Sequence, residues 1–331
     1  MLETLAVTDS VELAVTDRGG FVESRHAGAA IVLGPEGDVV RALGDTEALI
    51  LPRSSLKPFQ AVASVTAGAA LEGERLALAT ASHSGTDRHV EVVRGMLAEA
   101  GLTEDHLGCP EAWPGDQATR DDLVRDHVGK SRIRMNCSGK HAAMLAACVA
   151  TGWDTEGYLH PDHPLQAHIR ETVERLCGGT KVAATVIDGC GAPVHALPLS
   201  ALARGMHRIG TASERSPFGL HRVAGALVRT VREHPWAIAG PGLTDTFAIE
   251  RFGVFSKIGA EAVQIMVAPD GTTVALKVLD GGARATCAIA LTLLAQAGAL
   301  PAVEVEAALA SDPLFAVLGG GEPVGRIRAT V

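Results

Sequence analysis

The chain has 331 residues, of which 47% are hydrophobic and 20% charged, so it can bury a sizeable core and is too apolar to be disordered. Its 38 acidic residues outnumber 29 basic ones for a net charge of −9, and no dense Lys/Arg block occurs, which argues against nucleic acid or an anionic membrane as partner. Aromatic residues are only 3%, which excludes a stacking platform for bases and leaves the core to Ala, Val, Leu and Ile.

Short apolar runs at residues 11–15, 29–33 and 39–43 predict strands, with Gly34-Pro35-Glu36-Gly37 as the turn between the last two. From Ser55 to about Gly68 the chain becomes rich in Ala and Val, with Pro58 near the first turn, which predicts a helix. Residues 86–100 carry Val90, Val93, Met96 and Leu97 at helical spacing, and residues 140–150, 165–176 and 218–231 also predict helices. Strands return at 263–267 and 273–278, flanking the hairpin signal Pro269-Asp270-Gly271. A helix from Arg284 to about Ala297 follows. The uncharged run 285–303 contains Thr, Gln, Gly and Pro, so it reads as a buried helix and not as a membrane span.

Strands at both ends with helices between predict an α/β (α+β sandwich) fold, in which N- and C-terminal strands form one sheet with helices on its faces. No Ser/Pro/Gly-rich linker and no internal repeat divides the sequence, so one domain over residues 1–331 is expected, with room for a helical middle subdomain. Six widely spread cysteines do not make a disulfide framework. No basic stretch precedes an apolar one near Met1, so no signal peptide is expected, and the expected location is the cytoplasm with reduced thiols.

Five segments carry possible chemistry. Ser54 and Lys57 form a Ser-x-x-Lys pair at a helix entry, where residues three apart share a face and a neutral amine can take the hydroxyl proton. Ser82-His83-Ser84-Gly85 falls in a loop between helices, and Lys257-Ile258-Gly259 lies just before the late hairpin. That order is the order of the serine β-lactamase and penicillin-binding protein motifs, with Ser84 in place of Asn and Ile258 in place of Ser or Thr. Asn136-Cys137-Ser138-Gly139-Lys140-His141 opens a predicted helix, and Asp188-Gly189-Cys190-Gly191 ends a predicted strand. Thiols near an amine and a carboxylate suggest a thiolate or metal site, although two lone cysteines do not establish one.

Together with Pro52-Arg53-Ser54-Ser55-Leu56-Lys57, these segments resemble the Rhizobium-etli-type L-asparaginases, the third structural class, also called asparaginase II. The resemblance runs from about Glu23 to the hairpin after Lys257 and is most specific around Cys137. It implies a serine β-lactamase-like fold, a homodimer, and hydrolysis of L-asparagine to L-aspartate and ammonia. It implies two Ser–Lys tandems, Ser54 with Lys57 and Ser82 with Lys257. It also implies a zinc ion on Cys137, Lys140 and Cys190, with Asp188 holding a metal-bound water or the substrate. Arg53 is the candidate partner for the substrate carboxylate by proximity, and backbone N–H groups near the nucleophile are expected to hold the oxyanion. Around Cys109-Pro110-Glu111-Ala112 the chain departs from the Cys-Gly-x-His pattern frequent in that class, which bears on substrate preference. The competing readings are a β-lactamase or peptidase-like serine acyl hydrolase and a non-enzymatic zinc-binding protein.

Overall fold

The computed structural model of the protein describes residues 2–331. In chain order its strands are β1 (Val11–Arg18), β2 (Phe21–Leu33), β3 (Val39–Leu43), β4 (Leu49–Ile50), β5 (Ala184–Ile187), β6 (Pro193–Pro198), β7 (Phe255–Gly259), β8 (Val263–Val267), β9 (Thr273–Val278), β10 (Ala316–Gly319) and β11 (Glu322–Ala329). Its helices are α1 (Lys57–Thr66), α2 (Gly73–Ala79), α3 (Asp87–Glu99), α4 (Gln117–Arg125), α5 (Ser138–Thr151), α6 (Pro164–Leu176), α7 (Leu199–Gly210), α8 (Gly219–Glu233), α9 (Thr244–Phe252), α10 (Thr286–Gln296) and α11 (Ala302–Ser311). The chain divides into two compact units. The first takes the chain up to Ser55, Ala196–Thr211 and Phe247–Val331; the second takes Leu56–His195 and Ala212–Thr246.

The first unit holds an antiparallel eight-stranded sheet in the order β10-β11-β1-β2-β9-β8-β7, with β3 pairing on β2. N- and C-terminal strands interleave as expected: Val15 lies opposite Arg328, and Ile31 opposite Ala275. The hairpin between β8 and β9 closes where the sequence signals it. Ala268 N–H donates to Thr272 O at 2.8 Å, and Gly271 takes φ +97° in the turn. Side chains alternate across a strand, and here both faces are covered. Val274, Leu276 and Val278 of β9 join Ala30, Val32, Met266 and the apolar α10 in one core. The intervening Ile31, Ile265 and Ala275 are buried as well, and α7 packs on β2 and β9. This two-sided burial is why β8 and β9 read as mostly apolar runs, broken only by Gln264, Thr273 and Lys277.

Within the uncharged run 285–303, α10 is buried in that core while residues 296–298 and 301–303 are exposed, and no helix among the described residues is long and apolar enough to cross a membrane.

The second unit is mostly helical. α1 is buried from Lys57 to Ser64 and packs against α5, α6 and α8, which makes it the central helix of this unit. α2 and α5 approach closely because Gly139 has no side chain: a Cβ there would lie 2.5 Å from the Leu78 carbonyl oxygen.

Candidate active site

Lys57, the first residue of α1, is 1% exposed. Its Nζ donates to the Ala81 carbonyl at 2.5 Å and to the Ser82 hydroxyl at 2.9 Å. The serine hydrogen-bonded to Lys57 is thus Ser82, twenty-five positions on, in the loop that follows α2. Ser82 is half-buried.

The loop that presents Ser82 is clamped along its backbone. Ser82 N–H donates to Ile238 O (2.9 Å), His83 N–H to Asn136 O (3.1 Å) and Ser84 N–H to Ala239 O (2.6 Å). Gly85 adopts φ +75° with Arg134 O 2.7 Å from where a Cβ would stand, and Gly240 adopts φ +136° against the Ser84 side chain. The N–H groups of Ser82, His83 and Ser84 are thus all committed to backbone carbonyls.

His83 lies directly beneath the loop. Ser138 Oγ donates to Ile133 O at 2.7 Å, so His83 Nε2 is the donor in its 2.9 Å bond to Ser138, and the buried His83 Nδ1 has no partner. Burial, then the charges of His89 and Lys57, push the His83 imidazole well below its ordinary pKa. His83 stacks on His89 with centroids 5.0 Å apart. His89 Nε2 donates to Trp236 O at 3.2 Å, and burial takes this imidazole down to about 4.

Cys137, the N-cap of α5, and Cys190, in the turn after β5, meet in one small cluster with Ala192. The turn is built by Asp188: its N–H donates to Ala192 O and its carbonyl accepts from Gly191, which needs φ +87°. Lys140, one turn into α5, is 2% exposed and donates to Cys190 Sγ at 2.9 Å. The hydrogen bond from Cys190 holds the Cys137 thiol well below its ordinary pKa against the opposing effect of burial, helped by the charges of Lys57 and Lys140. The same bond, together with burial, pushes Cys190 up. Burial disfavours the Lys140 ammonium, but Cys190, Cys137 and Asp188 more than offset it, so its pKa is raised. The two sulfurs and the buried lysine nitrogen thus form one coupled cluster.

Among the described residues no three His, Cys, Asp or Glu side chains gather as a ligand set, so any metal here needs the lysine. Two sulfurs and a buried amine are a donor set that suits a thiophilic divalent cation, since thiolate charge offsets that of the ion. Beside it, Tyr158 Oη accepts from Gly108 N–H at 2.8 Å and shares a 2.6 Å hydrogen bond with His141 Nδ1. Burial, against the effect of a hydrogen bond with Cys190, takes the His141 imidazole down to about 4. Sequence reasoning noticed His141 but gave no role to it or to Tyr158. Cys109 is an ordinary thiol, pushed up to about 11 by burial and then by Cys190.

The other expected site residues belong to the first unit. Arg53 and Ser54 lie half-buried in the single 3-10 turn Arg53–Leu56, with Arg53 at φ +52°. Lys257 is fully buried in the middle of β7. The turn docks on this strand, where Ser55 Oγ donates to Lys257 O at 3.3 Å and a Cβ on Gly259 would lie 2.4 Å from Pro52 O.

The chain is similar to the crystal structure of a β-lactamase from Mycobacterium bovis, at 15% identity and TM-score 0.45, over 82% of this chain and 94% of that one. It is also similar to a putative β-lactamase from Bacteroides dorei, at 15% identity and TM-score 0.44, over 82% of this chain and 92% of that one. No sequence among the curated proteins matches it. Residues 14–329 match the model of the L-asparaginase II family, which takes in the Lys57–Ser82 pair, the Cys137–Cys190 centre and nearly the whole sheet. The chain belongs to the L-asparaginase II family and is an amidohydrolase.

Proposed function

We propose that the protein hydrolyses L-asparagine to L-aspartate and ammonia, with Ser82 as nucleophile and Lys57 as its base. The observation that carries this reading is the 2.9 Å hydrogen bond between Lys57 Nζ and Ser82 Oγ. With its amine neutral, Lys57 accepts the hydroxyl proton as Ser82 Oγ attacks the side-chain amide carbon. The same nitrogen then returns the proton to the departing amide nitrogen, so ammonia leaves and an ester to Ser82 remains. Water attacks this ester, Lys57 takes its proton and passes it to Ser82 Oγ, and L-aspartate is released. The backbone clamp on Ser82–Ser84 fixes the hydroxyl against the amine, so little orientation is lost on reaching the transition state.

On the resemblance to the third asparaginase class, we propose that Ser54 and Lys257 take part in the same reaction and that Arg53 holds the substrate carboxylate. In this proposal Cys137, Lys140 and Cys190 hold zinc, with Asp188 on the metal's water or on the substrate. When bound, zinc supplies a fixed positive charge for orienting a substrate oxygen. Homodimer formation belongs to this proposal as well.

A diazo-ketone analogue of L-asparagine, which alkylates the attacking nucleophile, tests the assignment by peptide mass mapping. The label is expected on the peptide containing Ser82 and is expected to disappear in Lys57→Met. A label on Ser54 would overturn the choice of nucleophile and leave the amidohydrolase reading standing.

A further inference from the structure

In the second unit a cavity of about 390 Å³ opens between the end of α1, the last turns of α6 and the start of α8. Its polar lining comes from Thr66, His168, Thr172, Arg175 and Arg222, and no acidic side chain lines it. α1 runs ten residues from Lys57 to Thr66, so about 15 Å of helix separates this cavity from the proposed base.

Its groups are held in place. Arg222 Nη1 donates to Ser216 O at 3.0 Å and Pro217 O at 2.9 Å, which fixes the guanidinium across the entry to α8. A Cβ on Gly219 would lie 3.7 Å from Arg222 Nη2, so the same guanidinium lies against the first residue of that helix. α8 is 15 residues long and has no side-chain N-cap, which leaves its first N–H groups for another acceptor. Thr66 Oγ1 donates to Ala63 O at 3.0 Å, so His168 Nε2 is the donor in its 3.0 Å bond to Thr66. Thr172 gives the strongest indication. Its side chain is buried to 3% exposure and lines the cavity, yet its hydroxyl has no hydrogen-bond partner among the described residues.

We propose that this cavity binds a phosphate group, either free or carried by a small phosphomonoester. Two guanidinium groups supply positive charge, Thr172 supplies a hydroxyl, and α8 supplies an uncapped N-terminus. The volume exceeds that of a phosphate ion and leaves room for a small organic group attached to it.

Isothermal titration calorimetry of the full chain at low ionic strength tests this with three probes: inorganic phosphate, AMP and adenosine. Saturable one-site binding of a phosphate-bearing probe is expected, with adenosine silent. Tighter binding of AMP than of phosphate identifies a monoester as the occupant, and binding of phosphate alone identifies the free ion. Arg222→Gln and Arg175→Gln are each expected to weaken binding about tenfold or more, the scale of a charge-assisted hydrogen bond. Thr172→Val keeps the side-chain shape, is expected to weaken binding several-fold, and keeps the test open should an arginine variant fail to fold. Absence of saturable heat with both anions would overturn the proposal. So would binding that all three substitutions leave unchanged, or adenosine binding as well as AMP.

Discussion

At the scale of single residues, buried imidazoles give the protein a definite acid limit. Burial lowers His83 well below its ordinary value and takes His89 and His195 down to about 4, so these rings are neutral in the folded state near neutral pH. In the unfolded chain each returns to about 6.5. Between those values the unfolded state binds more protons than the folded one, so stability rises with pH. The contribution is complete above about pH 6.5 and is lost as pH falls toward 4, on the order of 1 kcal/mol per pH unit for each histidine. Urea midpoints measured from pH 8 to pH 4 are expected to stay level down to about 6.5 and then fall steeply. His89→Gln is expected to flatten part of that fall; a profile unchanged between pH 6.5 and 4 would contradict the assignment of neutral buried rings.

The chemistry-bearing residue types were legible in the sequence, while their pairing was not. Ser54 and Lys57 attract attention because they are three apart, yet the hydroxyl bonded to Lys57 is that of Ser82, brought there by the loop clamp on Ile238, Ala239 and Asn136. The meeting of Cys137 with Cys190 likewise depends on a helix start and a strand end that are distant in sequence. Spacing alone does not pair the two cysteines; the resemblance to the third asparaginase class implies their pairing.

At the scale of elements, two glycines set how close neighbouring backbones come. A Cβ on Gly139 would press α5 away from the Leu78 carbonyl of α2, so Gly139→Ala is expected to cost about 1–3 kcal/mol, the range for overpacking a tight interior. Gly240→Ala places a Cβ against Ser84 in a backbone region that side chains avoid, and is expected to cost about 1–3 kcal/mol. It should also lower turnover by moving the loop that carries Ser82. Gly242, at φ +72° with nothing within 4 Å, is the control: Gly242→Ala should destabilise less and leave turnover intact. Thermal unfolding and ammonia release on the three variants check the ranking, and equal losses at 240 and 242 would remove the steric part of the argument.

The β8–β9 hairpin was legible because Pro-Asp-Gly sits between two runs buried on both faces. The β10–β11 hairpin was missed because β10 has only four residues and β11 buries only Ile327, and its turn is the run of Gly320 and Gly321 at positive φ. α7 was missed although Leu199, Leu202, Ala203, Met206 and Ile209 fall on one helical face.

At the scale of the whole molecule, the sheet shared by both ends of the chain was legible, because strand signals cluster at the ends and helical ones between them. The chain passes between its two units several times without a linker of distinct composition. Two molecular properties remain as expectations of the proposal. Protein purified without a histidine tag is expected to carry about one zinc per chain, and Cys137→Ser is expected to lose most of it. Light scattering is expected to give twice the 34.2 kDa chain mass. Metal-free protein with both thiols freely reactive would remove zinc from the account and leave the Lys57–Ser82 pair standing.

The most direct measurement is ammonia release from L-asparagine by the full chain and by Ser82→Ala, Lys57→Met and the double variant. The wild-type protein is expected to release ammonia and L-aspartate in equal amounts. Each single variant is expected to lose roughly a thousandfold or more in kcat with the fold intact by circular dichroism, and the double variant to be little worse than either, because a nucleophile and its base act as one unit. A wild-type chain that leaves L-asparagine untouched, or a Ser82→Ala variant that retains near wild-type turnover, would contradict the account.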